Sequence, residues 1–147
     1  MAIKDNIKKP FVEDRDKNVF IGIEMPFRRA VGTEGYFAST SDTISAVKTN
    51  IRNLLNTKKG ERVMQPNLGI NFDNYLFEQY TDDLRLTIED DIVSTFNQWL
   101  PFVEIRDIRI AMLDGDEITG SNTLKISIDF NIKKDPTTLE SVTVEIN

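Results

Sequence analysis

Between Leu124 and Lys133 the chain alternates without a break: Leu124, Ile126, Ile128, Phe130 and Ile132 stand against Lys125, Ser127, Asp129, Asn131 and Lys133. Successive strand side chains point to opposite faces, so a period of two fixes an extended segment with one buried and one solvated face. A sheet wet on one side suits antiparallel pairing, and its other side must be covered. Two neighbouring stretches supply the partners. Val103 and Ile105 fall in one phase and Ile108, Ile110 and Met112 in the other, which predicts a bulge near Asp107. Val142, Val144 and Ile146 alternate with Ser141, Thr143 and Glu145, after a turn marked by Asp135-Pro136. That third strand runs to the last residue of the sequence, so the reading is an open edge with one row of unpaired N–H and C=O groups.

The cover is helical. Ile44, Val47, Ile51, Leu54 and Leu55 share one stripe at helical spacing, with Ser41 or Thr40 as N-cap and Asp42 in the first turn. A second helix is capped by Thr81, carries Asp82 and Asp83 in its first turn and ends at Pro101. Its Leu84, Ile88, Ile92 and Phe96 repeat every fourth residue, and flanking Leu86, Val93 and Leu100 give a broad apolar face. The expected fold is α+β: two helices on one face of a small antiparallel β-meander. Residues 1–40 read as an N-terminal arm and loop, and 41–147 as a single domain. Within the first segment, 1–18 lack a period and read as a disordered or partner-ordered arm. Val19 to Phe27 is a short strand or an extended clasp, and Arg28 to Thr40 a loop.

The helices are separated by the corner Thr57-Lys58-Lys59-Gly60-Glu61-Arg62-Val63-Met64-Gln65-Pro66-Asn67-Leu68-Gly69. Lys58 and Lys59 suit the last turn of the first helix, and Gly60 the left-handed residue that closes it. Pro66 pushes Gln65 out of the helical region, so Glu61 to Gln65 is expected to be extended. Glu61 and Arg62 then point to opposite faces, one to the domain and one to a neighbour; Arg62 pairing with Asp73 or Glu78 is the internal alternative. Asn67-Leu68-Gly69 makes a turn before the aromatic cluster Phe72, Tyr75, Leu76 and Phe77. Gly60, Pro66 and Gly69 are thus structural residues.

Composition narrows the chemistry. With no histidine and no cysteine in 147 residues, Ser-His pairs, zinc-thiolate sites and Cys nucleophiles are excluded. A net charge of −6 argues against nucleic acid as the main partner. No apolar run approaches the ~20 residues of a membrane span, and Met1 to Lys9 lacks the apolar core of a signal peptide. A glycoside hydrolase needs two facing carboxylates, of which Glu61 with Asp73 or Glu78 is the first pair to test. Beside Arg62 and two lysines, however, Glu61 is ill suited to the protonated role of a general acid. Asp114-Gly115-Asp116-Glu117 lacks the ligand ladder of a calcium loop and reads as a hairpin turn. Tyr75, Phe77 and Tyr80 read as core and interface anchors, and Arg28-Arg29 as a carboxylate contact or a solvated pair. No catalytic residue, metal or cofactor is expected.

The run LLNTKKGERVMQPNLGINFDNYLFE resembles the signature of the contractile-tail baseplate wedge proteins that start the sheath. The matching residues are Leu54, Leu55, Thr57, Gly60, Glu61, Arg62, Pro66, Gly69 and Leu76-Phe77-Glu78, with a looser likeness from about Phe27 onward. That family spans phage sheath initiators and the small baseplate subunit of type VI secretion systems, and some members carry a lysozyme label. The resemblance implies a structural subunit of the virion tail baseplate with a sheath-like fold, assembled in the host cytoplasm. Its partners would be the tail sheath protein and the wedge core proteins, with six copies around the tail tube and no membrane insertion. Well-studied family members carry a Glu-Pro-Arg triplet after the second helix, associated with binding the wedge core; here those positions read Leu100-Pro101-Phe102, so only the proline is kept and the contact is either apolar here or made elsewhere. The candidate partner-binding residues are therefore Glu61, Arg62, Leu100, Pro101 and Phe102, with the strand of Val142, Val144 and Ile146 receiving the sheath arms. A secretion-system subunit and a peptidoglycan hydrolase are the alternatives, separable by neighbouring genes and by a cell-wall assay.

Overall fold

Three strands, β3 (Val103–Leu113), β4 (Thr123–Ile132) and β5 (Asp135–Ile146), form an antiparallel sheet in the order β3-β4-β5. The computed structural model describes residues 11, 14, 19–30, 36–79, 81–113 and 123–146, and the chain divides into two compact units, 1–50 and 51–147. The Asp114 to Glu117 turn, Tyr80 and most of the N-terminal arm lie outside the described residues. In β4 the expected alternation is realised: Leu124, Ile126, Ile128, Phe130 and Ile132 are all buried. Each such side chain contributes about 1.5–3 kcal/mol on removal from water, so this strand anchors the unit.

The register between β3 and β4 slips between Ile105 and Asp107, which leaves Arg106 as the extra residue. The bulge has a use. Arg106 Nε donates to Asn131 Oδ1 at 2.9 Å, and its other end pairs with Glu104 at 3.3 Å. Asn131, 1% exposed on the polar side of β4, is thereby satisfied. Farther along the same face Arg109 meets Asp129 at 2.5 Å and Lys125 meets Glu145 at 3.0 Å.

The β4–β5 turn falls at Lys133-Lys134, two residues before the expected Asp135-Pro136. Asp135 already pairs with Ile132, because a two-residue loop makes the tighter hairpin. Pro136 is accommodated in the irregular start of β5, where the register shifts opposite Phe130 and Ile132.

Helix α3 (Asp82–Trp99) touches β3 and buries Leu84, Ile88, Ile92 and Phe96. The Thr81 hydroxyl accepts from Leu84 N–H at 3.2 Å, as its position required, and Leu100 closes the other end before Pro101. The apolar face is narrower than expected, since Leu86 and Val93 are exposed. Residues one or two positions from a stripe turn away from it on a helix. A third, short helix, α2 (Phe72–Leu76), buries Phe72 and Leu76.

Helix α1 (Thr43–Asn56) runs from one unit into the other, and Ile51, Leu54 and Leu55 are buried in the second. Its cap is Asp42 rather than Ser41 or Thr40: the carboxylate accepts from Ser45 N–H at 3.0 Å, three residues on. The helix stops at Asn56, so Lys58 and Lys59 lie beyond its last turn. What ends it is Thr57, whose hydroxyl donates to the Asn53 carbonyl at 2.6 Å while its N–H reaches back to Leu54.

In the first unit, β1 (Gly22–Ile23) pairs antiparallel with β2 (Ser39–Thr40). The pairing continues through an Arg29–Phe37 bridge, so Arg28 to Thr40 contains strand structure where a loop was expected. Phe27, Tyr36 and Phe37 cluster on its surface, with Arg29 over the Tyr36 ring and Arg28 paired to Glu24 at 2.6 Å. Phe11 and Asp14 of the arm are buried, and Asp14 accepts from the Thr43 N–H at 2.8 Å.

Candidate functional site

The corner after α1 closes on itself. Gly60 N–H donates to the Pro66 carbonyl at 2.7 Å, and Ile70 N–H donates to the Thr57 carbonyl at 3.0 Å. Side chains close the rest: Lys59 N–H donates to Asn71 Oδ1 at 2.9 Å and Lys58 N–H to Glu61 Oε2 at 3.1 Å. Gly60 has the positive φ expected of it, 91°, although it lies in the turn beyond the helix. Gly69, at φ 103°, is more constrained, because a Cβ there would overlap the Thr57 carbonyl and lie 2.6 Å from its carbon. Pro66 contributes the carbonyl that Gly60 grips.

Glu61 to Gln65 is therefore turned, not extended; Gln65 N–H donates to the Arg62 carbonyl at 3.2 Å. The bias that Pro66 puts on Gln65 is local, and the Gly60–Pro66 hydrogen bond forces the chain between them to double back. Glu61 and Arg62 consequently do not point to opposite faces of a strand. Glu61 caps the corner, and Arg62 reaches Asn53 Oδ1 at 3.3 Å instead of Asp73 or Glu78. Asp73 is taken by Lys58 at 2.5 Å, a bond that raises the lysine's pKa. What the corner presents outward is Val63 and Met64, 94% and 91% exposed. They were missed in sequence, where the signal was two adjacent apolar residues in a polar run between Gly60 and Pro66. Of the residues expected as core and interface anchors, Phe77 is 91% exposed at the end of α2 and is not part of the core, whereas Tyr75 donates to Asp91 on α3 at 2.5 Å.

The second group lies along β5. Val142 and Val144 are buried, opposite Ile128 and Ile126, and Ile146 is half-buried opposite Leu124. Among the described residues β5 pairs with β4 only, so its other side is a sheet edge. At its start the Asp135 carboxylate accepts from the Thr138 and Thr137 hydroxyls, each at 2.7 Å, and these bonds hold its carboxyl below the usual range. They fix the irregular turn-in, and the regular edge runs from Glu140 to Ile146.

The third group, Leu100-Pro101-Phe102, divides. Leu100 is buried as the C-cap of α3, while Pro101 and Phe102 are exposed. The Leu100 and Phe102 carbonyls accept from Val103 and Lys133 N–H, at 2.9 and 3.0 Å, which ties this bend to the sheet. Chemically, the carboxylates of the corner and of the β5 end are already engaged: Glu61 accepts from Lys58 N–H, Asp73 pairs with Lys58 Nζ, and Glu145 pairs with Lys125. Among the described residues no cluster of three or more acidic side chains is placed to hold a metal, and no helix is long and apolar enough to cross a membrane.

The sequence profile of the family described as Baseplate wedge protein gp25 matches residues 41–137. Over 108 residues the chain is 23% identical to the Baseplate wedge protein gp25 of Enterobacteria phage T4, covering 74% of this chain and 78% of that one. In fold it is similar to the crystal structure of a “putative tail lysozyme” from Geobacter sulfurreducens, with a TM-score of 0.58 and 21% identity over 73% of this chain and 92% of the other. It is also similar to a chain of the anti-feeding prophage (AFP) baseplate, seen by 6-fold symmetrised cryo-EM, with a TM-score of 0.55 and 20% identity over 84% and 81% of the two chains.

Proposed function

The chain belongs to the Baseplate wedge protein gp25 family of contractile phage tails and related baseplates, and we propose that it is the baseplate subunit on which the tail sheath begins. The observation that carries this reading is the edge of β5. Buried Val142 and Val144 pin the strand to the core, so its outward row of backbone groups is held straight and in register. A pinned edge that pairs with no second strand among the described residues is what strand addition requires. Extended arms of the tail sheath protein are the proposed partner strands. The wedge core proteins meet the opposite task at Pro101 and Phe102 and at the Val63–Met64 tip that Glu61 and Arg62 support. Six copies around the tail tube agree with the 6-fold symmetry of the AFP baseplate.

Ser141, Thr143 and Glu145 are alternate residues of one regular ladder and share one N–H direction, so proline at any of them removes one intermolecular bond while sparing most of the fold if that row faces outward. The expected outcome is baseplates that assemble but do not start a sheath. Normal sheath growth from all three folded variants would rule the edge out. The role is structural, without catalysis, because Glu61 and Asp73 are both engaged by Lys58. Purified cell wall should stay turbid with the protein; clearing that Glu61→Gln abolishes would overturn this.

A further inference from the structure

At its far end the β5 edge meets a cavity of about 180 Å³, and we infer that this cavity seats one apolar side chain of the strand that docks on β5. The inference rests on the reading of β5 as a docking edge and adds what that edge selects for. Leu55, Ile70 and Phe72, all buried, and Ile146 supply the apolar lining. Lys58 and Asp73, joined at 2.5 Å, and Glu145, joined to Lys125, supply polar lining in which the charges are already matched.

Position decides the occupant. Glu145 and Ile146 are consecutive residues of β5, so the cavity is part of the edge and not a separate pocket on another surface. A strand added to that edge stands about 4.8 Å away, and its residue opposite Ile146 projects to the same face as Ile146. That residue enters the cavity. The volume suits it, being of the order of the ~150 Å³ that holds a benzene ring, and Leu55, Ile70, Phe72 and Ile146 give the site an apolar side while Asn56, Lys58, Asp73 and Glu145 line its polar side. A charged tip would lose its water against an apolar lining whose nearby charges already have partners. In strand addition the backbone supplies affinity while pockets for alternate side chains supply selectivity. The proposed occupant is thus an extended segment carrying Leu, Ile, Val or Phe at the position facing Ile146.

Ile70→Phe and Leu55→Phe fill the cavity from two sides, with folding checked by melting. The readout is binding of the tail sheath protein to the intact chain, with Thr143→Pro alongside. The expected result is binding weakened about tenfold or more by the filling variants, the order of one buried aliphatic side chain. If Thr143→Pro abolishes binding while folded filling variants bind within about twofold of the parent, the cavity inference is overturned and the edge stands. If Thr143→Pro and the other proline variants bind normally, the edge reading itself falls. Should both filling variants fail to fold, benzene serves as the probe on the parent. Methyl shifts of Leu55 and Ile146 on adding benzene should appear in the free chain and vanish once the sheath protein is bound. Shifts that persist in the complex, or residues after Ile146 found inside the cavity, would equally overturn it.

Discussion

Phe130 in β4 and Gly69 in the corner belong to the same unit, yet one is held by apolar side chains and the other by backbone groups that leave no space for a side chain. Around Phe130 the sheet is defined by what is buried, and its polar face adds ion pairs of small individual worth. In the corner that Gly69 closes, residues 61–67 are exposed. The loop is defined by a closed set of hydrogen bonds, donated by Thr57, Lys59, Gly60 and Ile70 and accepted by Asn53, Asn71, Pro66 and Thr57. One region therefore tolerates polar changes and resists loss of volume, and the other does the reverse. The contrast fits their proposed uses: a sheet must present a straight edge, whereas a loop must hold Val63 and Met64 out in water without a core beneath them.

The largest expected effect is on the sheet. Phe130→Ala should cost about 3–5 kcal/mol by denaturant unfolding, the range for a fully buried Phe. A cost under about 1 kcal/mol would mean that the β4 face is not what holds the unit.

Gly69→Ala tests the other side. It adds one methyl group, yet combines positive-φ strain with overlap on the Thr57 carbonyl, for a loss of about 2–4 kcal/mol. Gly60 sharpens the point, because its φ is similar but nothing lies within 4 Å of its virtual Cβ. Gly60→Ala should therefore show strain alone, about 1–2 kcal/mol. Equal losses at the two glycines would remove the claim that the corner is closed by contact at Thr57.

This contrast also explains what was legible in the sequence. The β4 alternation, the bulge near Asp107, the Thr81 cap and the inward phase of Val142 and Val144 could be read because side-chain burial enforces a period. The corner has no period. Its turns follow from Gly60 N–H reaching Pro66 and Ile70 N–H reaching Thr57, bonds between backbone groups that every residue carries. Proline's effect on Gln65 was visible; the closure that overrode it was not. The same holds for Asp42 as a cap, since Thr40, Ser41 and Asp42 are all competent and only the chain path selects among them. The short helix α2 buries just Phe72 and Leu76, too little to mark a stripe. The β5 cavity joins residues 55, 70, 72 and 146, a juxtaposition that no local pattern encodes.

The smallest effect expected is on the tie from α2 to α3, where the polar means of holding structure extends beyond the corner. Burial of the Tyr75 phenol, followed by its hydrogen bond to Asp91 and the charges of Asp91 and Glu78, pushes its pKa up to about 12. In the unfolded chain the group ionises near 10. The folded state therefore keeps the proton more tightly, and the stabilisation is fully present below pH 10. As pH rises from 10 toward 12, the unfolded chain gains by ionising while the folded one does not, so stability falls. Tyr75→Phe removes that proton and its bond together. Parent and variant should thus differ by about 0.5–1.5 kcal/mol at neutral pH, one ordinary hydrogen bond, and converge across pH 10–12. Ultraviolet titration of tyrosinate, parent minus variant, gives the folded pKa directly. A difference spectrum centred near 10, with no convergence in melting, would show that Asp91 does not hold Tyr75 and that α2 is fixed by Phe72 and Leu76 alone.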